Sequence, residues 1–436
     1  MDLCWDEQAD VIVAGSGAGG LMAALTMAEN GLKVLVLEKA DRIGGKLAIA
    51  IGSFTASETA MQSAAGVEDS HDDHLEDLVK LAKTIGANLD LSRARLRIEE
   101  DNKTFARLVE LGVTFSGPHP EAPHRRPRMH NIVPSPASLI DILQSAARRA
   151  GATVRTQSPL TDVLLDDRGR VAGVAIGGRD GMSRAKAGAV VFAVGDCVSF
   201  LIAARLGAKT VVPDRIARPL IRTAAWPHVE PSHGLFEKGA VLIDRSGRKH
   251  SAALLPPGTD VPADEELFVV IDAQTASQCA TAADDVGPGR DGWKRTGKAF
   301  IGTAPGIAYA YLEDCRRWSW YFEARSITAA ARQIRCSEEA LAAAFGRPAV
   351  PPIYLLGPLK RILVRTNGGL VTDTSMRVLG DEDKPIAGLY AAGDTALWFE
   401  YAGGHGYGIS WATTSGRLAG AAATAYLRER NSPRSL

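Results

Sequence analysis

No apolar stretch in this chain of 436 residues reaches the roughly 18 consecutive residues a membrane-crossing helix needs, so no such span is expected. An excess of one charge is also missing. Fifty Lys and Arg balance fifty Asp and Glu, so neither nucleic acid nor an anionic membrane is an expected partner. Cysteine is scarce: the five, at 4, 197, 279, 315 and 336, are scattered, and no two form C-x-x-C. That argues against a disulfide scaffold and a zinc site, so no metal centre is expected, and it suits a reducing compartment. The opening MDLCWDEQAD lacks the basic and apolar regions of a signal peptide, which predicts a cytoplasmic location. The remainder is an ordinary globular composition, 46% hydrophobic and 23% charged, long enough for two or three domains.

The first forty-five residues are dense with signal. Residues 10–14, DVIVA, form an apolar run suited to a buried parallel strand. Gly15, Gly17 and Gly20 follow as G-x-G-x-x-G, and LMAALTMAENG then reads as a helix ending at Gly31. KVLVLE is a second buried strand, closed by Glu38. Each part has a physical duty. Gly15 permits a tight turn, Gly17 lets a pyrophosphate approach the backbone, and Gly20 lets helix and strand pack closely. The helix head, starting at Ala18, offers free N–H groups to phosphates, and Glu38 can accept from ribose hydroxyls.

Two further segments bear on the choice of dinucleotide. After Glu38 the chain reads KADRIGGKLAIAIGS, beginning at Lys39, which resembles the E-K-x-x-x-x-G-G segment of flavoproteins and places Gly44 and Gly45 along the cofactor. Far downstream, IAGLYAAGDT resembles the late flavoprotein strand, with Gly393 allowing close approach and Asp394 accepting a hydroxyl. The expected cofactor is therefore FAD. No histidine lies in 44–56, where respiratory fumarate reductases attach the flavin, so it is expected to be non-covalent.

The rest of the chain reads as amphipathic helices over 72–115 and 135–151, with Ser135 or Ser138 as caps, then strands flanking the turn DDRGR. AGAVVFAVGD is another buried strand, ending at Gly195. The expected class is α/β: a discontinuous Rossmann-like FAD-binding domain, 1–210 and 350–436, with an inserted α+β substrate or capping domain over 211–349.

Together the fingerprint at 15–20, Gly44–Gly45, the strand at 190–195, TNGGLVTD at 366–373, IAGLYAAGD at 386–394 and GRLAG at 416–420 resemble the fumarate reductase/ketosteroid Δ1-dehydrogenase group of FAD enzymes. The resemblance implies hydride transfer between flavin N5 and a carbon beside an electron-withdrawing carbonyl or carboxylate. It also assigns Gly408 and Ile409 to the cofactor. The departures choose a branch. Fumarate reductase-like members carry a histidine before the Gly-Gly of the 366–373 element; here Arg365 and Asn367 flank Thr366. Their later loop has an arginine two residues before Gly-Gly; here Tyr401 stands there, in YAGGHG. Ketosteroid dehydrogenase-like members have a tyrosine at this point that polarises the substrate ketone, and Tyr401 fits it. Where they have a glycine four residues on, this chain has His405.

The expected function is thus desaturation, or the reverse reduction, of a carbon–carbon bond beside the carbonyl of a cyclic ketone. Tyr401, His405 and Arg365 are the candidate catalytic residues. At neutral pH a tyrosine donates a hydrogen bond, and an imidazole moves a proton near pH 7. Tyr309, Tyr311 and Tyr321 are candidate general bases. The aromatics crowded into 309–322 and 390–411 would suit a flat ring slot or lobe packing. The segment HPEAPHRRPRMHN, 119–131, would border the site as a charged loop, or be solvated. Two alternatives stand beside this reading: a carboxylate ene-reductase or dehydrogenase anchored by Arg365 and the arginines of 125–128, and a non-catalytic electron-transfer flavoprotein. With no C-x-x-C-H and no iron–sulfur spacing, electrons would pass to or from oxygen, a quinone or a carrier protein.

Overall fold

The computed structural model describes residues 4–85, 89–120, 124–179, 181–195, 198–211, 219–225, 227–251, 265–281, 297–304, 308–363, 368–396 and 406–432. The chain divides into two units. The first comprises Met1–Pro118, Arg126–Asp214 and Thr366–Leu436; the second comprises His119–Arg125 and Arg215–Arg365.

The first unit is an α/β fold. Its strands β1 (Val11–Ala14), β2 (Val34–Leu37), β3 (Thr153–Arg155), β4 (Ala189–Phe192), β5 (Arg377–Leu379) and β6 (Pro385–Ala391) form one sheet in the order β5-β6-β4-β1-β2-β3. All pairs are parallel except β5 with β6. VIVA, VLVL and AVVF are buried at every position, the near-continuous apolar runs of a parallel sheet covered on both faces. Helix α1 (Ala18–Glu29) returns from β1 to β2, and α2 (Leu91–Glu110), α3 (Pro136–Arg149) and α4 (Tyr407–Asn431) complete the layers used below. Of the two serines expected as caps on α3, Ser135 takes the N-cap position. It does so without a side-chain bond, and the Ser138 hydroxyl donates to the Ser135 carbonyl. Pro136, with its φ already fixed, starts the helix.

α1 and α4 meet backbone to backbone. A Cβ on Gly416 would lie 2.2 Å from the Gly19 carbonyl oxygen, and one on Gly420 would lie 2.9 Å from that of Ala23. The GRLAG pair of glycines is therefore a contact surface. The DDRGR turn joins Leu160–Leu165 to Val171–Gly178, and a third strand, Gly181–Lys186, extends that hairpin.

The second unit is built on an antiparallel sheet ordered Pro219–Thr223, Ile353–Leu363, Leu267–Asp272, Val241–Asp244, Lys249–His250, with Tyr321–Ala324 also paired to Ile353–Leu363. Leu267, Val269 and Ile271 join one core cluster with Ile301 and Trp320. Phe268 and Val270 join another with Ile334, Leu341 and Phe345, as a two-residue period requires. Helices Ile327–Ile334 and Glu338–Phe345 are capped by Ser326 and Ser337, whose hydroxyls accept from Ala329 and Ala340. The return to the first unit comes at 366 rather than near 350. The apolar run after 350 is a central strand of this sheet, hydrogen-bonded to Leu267–Asp272 on one side and Pro219–Thr223 on the other.

Candidate functional site

The sequence-selected residues of the first unit converge at the carboxyl ends of its parallel strands. Gly15–Gly17 follow β1, Glu38 and Lys39 follow β2, Gly195 lies beyond β4, and Gly393–Asp394 follow β6. This is the edge at which open α/β sheets take their ligands. The three fingerprint glycines differ in surroundings. Gly15 has φ +101°, and a Cβ there would lie 2.5 Å from the Ala193 carbonyl oxygen. A Cβ on Gly20 would lie 2.0 Å from the Gly15 oxygen. A Cβ on Gly17 would meet nothing within 4 Å. Two glycines are thus demanded by packing, and the third faces open space at the head of α1. That head, from Ala18, has no side-chain cap and no acid in its first turn, so its N–H groups suit an anion.

Glu38 is buried at 7% exposure and organises the loop. Its Oε2 accepts from the Ser16 N–H at 3.0 Å and the Ser16 hydroxyl at 2.6 Å, while Oε1 accepts from the Ala40 N–H at 2.8 Å. Ser16 also accepts from the Gly44 N–H through its carbonyl, at 3.1 Å, and its hydroxyl oxygen, at 3.2 Å. Gly44 has φ +106°, and a Cβ there would strike Ile140 of α3 at 2.4 Å. Gly45, φ +50°, has as its nearest neighbour the Gly17 Cα at 3.9 Å. Lys39 is exposed.

Three remote segments close on one another. Lys46 Nζ donates to Asp394 Oδ2 at 2.9 Å, and a Cβ on Gly195 would lie 3.8 Å from both the Asp394 Cβ and Lys46 Nζ. The Gly195 N–H donates to Thr395 Oγ1 at 3.0 Å, and the Gly393 N–H to Ser415 Oγ at 2.8 Å. The indole N–H of Trp411 reaches the carbonyls of Gly393 and Ala396. Gly408 and Ile409 lie in the first turn of α4, whose cap position, Gly406, carries no side-chain bond. Sequence reasoning missed Ser16 and Lys46. A short polar side chain between the first two glycines was the available signal for Ser16; Lys46 had none.

Tyr401, His405 and Arg365 lie outside the described residues, as does Cys197. Among the described residues, the aromatic segments divide between core and surface, where Phe322 is 44% exposed. Tyr390, Tyr407 and Trp411 are buried in the first unit; in the second, Trp320 is buried and stacks with Trp318 at 5.0 Å. Nor is 119–131 simply a charged, solvated loop. Arg128 is 1% exposed and paired with Asp69 and Asp77, at 2.7 Å each. His119 packs edge-on to Tyr309, ring centroids 6.0 Å apart, and burial pulls its pKa down to about 4. The Tyr309 hydroxyl donates to the Pro120 carbonyl at 2.7 Å. Burial pushes the Tyr321 phenol up to about 12, beside Glu323. Among the described residues, no group of three or more His, Cys, Asp or Glu is set to hold a metal, and no helix is long and apolar enough to cross a membrane.

An uncapped helix head over an open glycine, a buried acid after the second strand, and late-strand glycines closing on the same edge fit FAD and define a dinucleotide-binding flavoprotein. The chain belongs to the FAD binding domain family, which matches residues 10–216 and 359–408, and is an FAD-dependent oxidoreductase of the fumarate reductase/ketosteroid dehydrogenase group. It is similar, at 25% identity over 458 residues, to a fumarate reductase (cytochrome) of Shewanella frigidimarina, covering 96% of this chain and 78% of that protein. It shares its fold with the open conformation of a flavocytochrome c3 fumarate reductase (TM-score 0.76, 20% identity, 97% of this chain and 79% of that one). It does so too with 3-ketosteroid-Δ4-(5α)-dehydrogenase from Rhodococcus jostii in complex with 4-androstene-3,17-dione (TM-score 0.63, 20% identity, 97% and 98%).

Proposed function

We propose that this chain interconverts a single and a double carbon–carbon bond beside the carbonyl of a cyclic ketone. The observation that carries the reading is Tyr401-Ala-Gly-Gly, directly before α4: a neutral hydroxyl donor stands where a carboxylate enzyme of the group needs a guanidinium. Fold likeness across the full length of a ketosteroid dehydrogenase supports it.

Gly15, Gly17 and Ala18 would hold the pyrophosphate and Glu38 the ribose, with Lys39 beside it. Gly44, Gly45, Gly195, Gly393, Asp394, Gly408 and Ile409 would line the remainder without a covalent link. Bound FAD supplies a two-electron carrier that takes or gives a hydride at N5. The protein's part is orientation and proton control. Tyr401 donates to the substrate carbonyl as enolate character develops there. His405 exchanges a proton, and Arg365 fixes negative charge. For the α-proton, Tyr309 with neutral His119 against it is a better pair than Tyr321, whose raised pKa opposes ionisation. Electrons pass to or from oxygen, a quinone or a carrier protein, and the protein works in the cytoplasm.

Anaerobic mixing with saturated cyclic ketones should bleach the bound flavin. Tyr401→Phe should lower kcat about 10²–10³-fold, the scale for losing one oxyanion donor. An unchanged kcat would remove Tyr401 from the reaction. The near-complete alignment with a fumarate reductase favours a second reading, a carboxylate substrate held by Arg365. Bleaching by saturated acids alone, lost in Arg365→Ala, would establish it.

A further inference from the structure

The first unit also carries a hydrogen-bonded chain that the cofactor loops do not use. Glu58 Oε1 accepts from the His71 backbone N–H at 2.8 Å and lies 3.2 Å from His71 Nδ1. His71 Nδ1 is 3.2 Å from Ser57 Oγ, which is 3.0 Å from His74 Nδ1. His74 Nε2 is 2.8 Å from the Tyr407 hydroxyl. Burial deepens along the series. The Glu58 side chain is 45% exposed and that of His71 19%; Ser57 and His74 are fully buried, and Tyr407 is 2% exposed.

Glu, His, Ser, His and Tyr can each both donate and accept, according to protonation state or tautomer. The series contains no Lys, Arg or amide side chain. A proton entering at either end can therefore be passed along: His71, whose Nδ1 faces both Glu58 and Ser57, takes it up and hands it on from that one atom, while the links from Ser57 through His74 to Tyr407 reverse. The turn that starts the series is held against its own preference. Glu58 has φ +57°, a left-handed conformation a glutamate keeps only where its surroundings impose it. The Asn102 side-chain amide imposes it here, donating to the carbonyls of Ser57 and Glu58 at 2.8 and 2.9 Å. The inner end is equally fixed. Arg97 donates to the Tyr407 carbonyl at 2.7 Å, its guanidinium lies 5.0 Å from the ring centroid, and Asp101 pairs with it at 3.0 Å.

The phenol belongs to the first residue of α4, two positions after His405. We propose that Glu58, His71, Ser57, His74 and Tyr407 form a proton relay between solvent and the head of α4. It would serve the one proton that desaturation releases and the reverse reaction takes up. The substrate gives a hydride to FAD and its α-proton to the base. Tyr407 passes one proton to His74 as it receives another, Glu58 yields one to water, and the relay ends with no net charge. The five act through the groups at the reacting atoms and touch none of those atoms themselves. The inference rests on the ketone reading above.

The test is stopped-flow reduction of the holoenzyme by a bleaching ketone across pH. Tyr407→Phe keeps the ring under Arg97 and removes only the hydroxyl. It should slow reduction about 10–10²-fold, less than losing an acid–base group outright, with a larger solvent deuterium isotope effect. His71→Ala should slow it similarly and recover as imidazole is added. FAD-loaded variants with the wild-type rate and pH profile would overturn the relay, as would slowing that imidazole does not rescue. Histidine ¹⁵N NMR needs no substrate. In a relay the His71 and His74 rings titrate together, and Glu58→Gln moves both; independent titration overturns it. Coupled histidines in a protein that no ketone bleaches would instead sink the ketone reading and leave the relay standing.

Discussion

In the first unit a buried apolar strand ends on glycine, and in the second it ends on a buried ion. After β1 the chain turns through Gly15, Ser16 and Gly17, and backbone N–H groups do the polar work. Leu267–Asp272 instead ends on a fully buried carboxylate. Asp272 accepts from Arg347 at 2.7 and 2.9 Å and from the backbone N–H groups of Thr275 and Val350. Burial alone would raise its pKa, but Arg347 and those donors outweigh it and hold the carboxyl well below its usual range. Arg361 and Arg222, on neighbouring strands of the same sheet, are likewise nearly buried and paired, with Glu265 and Glu230. A strand end made of backbone leaves room for a ligand, whereas one closed by side chains fills its own space. The difference separates a surface built to receive a cofactor from one built to stay shut.

The sharpest way to break this contrast lies within the first unit. Gly20→Ala drives a Cβ into the Gly15 oxygen and should cost about 3 kcal/mol or more, read as loss of soluble folded protein or a collapsed Tm. Gly17→Ala should leave the stability of the apoprotein within about 0.5 kcal/mol of wild type, since its Cβ meets nothing. FAD affinity should fall all the same. If both variants unfold, or both keep the flavin, the two glycines do not divide the work as described. In the second unit Arg347→Ala leaves the Asp272 carboxylate with only neutral donors, the backbone N–H groups of Thr275 and Val350 and the Thr275 hydroxyl. Because Arg347 is 30% exposed, the expected cost is about 2 kcal/mol, below that of breaking a wholly buried pair. The denaturation midpoint of that unit should drop while the flavin spectrum stays unchanged.

The smallest effect concerns pH. His119 is held near pKa 4 in the folded chain, against about 6.5 when unfolded. Between those values the unfolded chain binds the proton and the folded one does not, so stability falls as pH drops from about 6.5 towards 4. His119→Leu should flatten melting temperature against pH in that window. An identical slope in the variant would mean that His119 is not held neutral.

The contrast also explains what the sequence disclosed. Glycine is favoured where φ is positive, as at Gly15 and Gly44, and required where a Cβ would strike backbone, as at Gly15 and Gly20, so the pattern 15–17–20 and the pair 44–45 carried their meaning openly. Buried strands showed as unbroken apolar runs. The partners of Glu38 did not show, because Ser16 and Ala40 act through ordinary backbone and a hydroxyl. Arg128 looked like part of a basic loop because its neutralising Asp69 and Asp77 stand more than fifty residues upstream. The strand Ile353–Leu363 read as a return to the first unit because an apolar run does not say which sheet it joins. The same limit hid the relay, whose outer four members lie within 57–74 while the fifth is residue 407.

The glycine contact between α1 and α4 has a consequence in time. The loop after β1 is made some 370–400 residues before the late strand that closes its edge and the helix that braces it. At ordinary rates of synthesis that delay is on the order of 20–80 s. Throughout it the nascent chain exposes the small-residue face of α1 and an incomplete cradle. A complete cradle therefore waits for the synthesis of α4, when Gly416 and Gly420 first reach Gly19 and Ala23. A ribosome stalled before residue 407 would hold a chain that has its fingerprint but cannot yet grip a flavin.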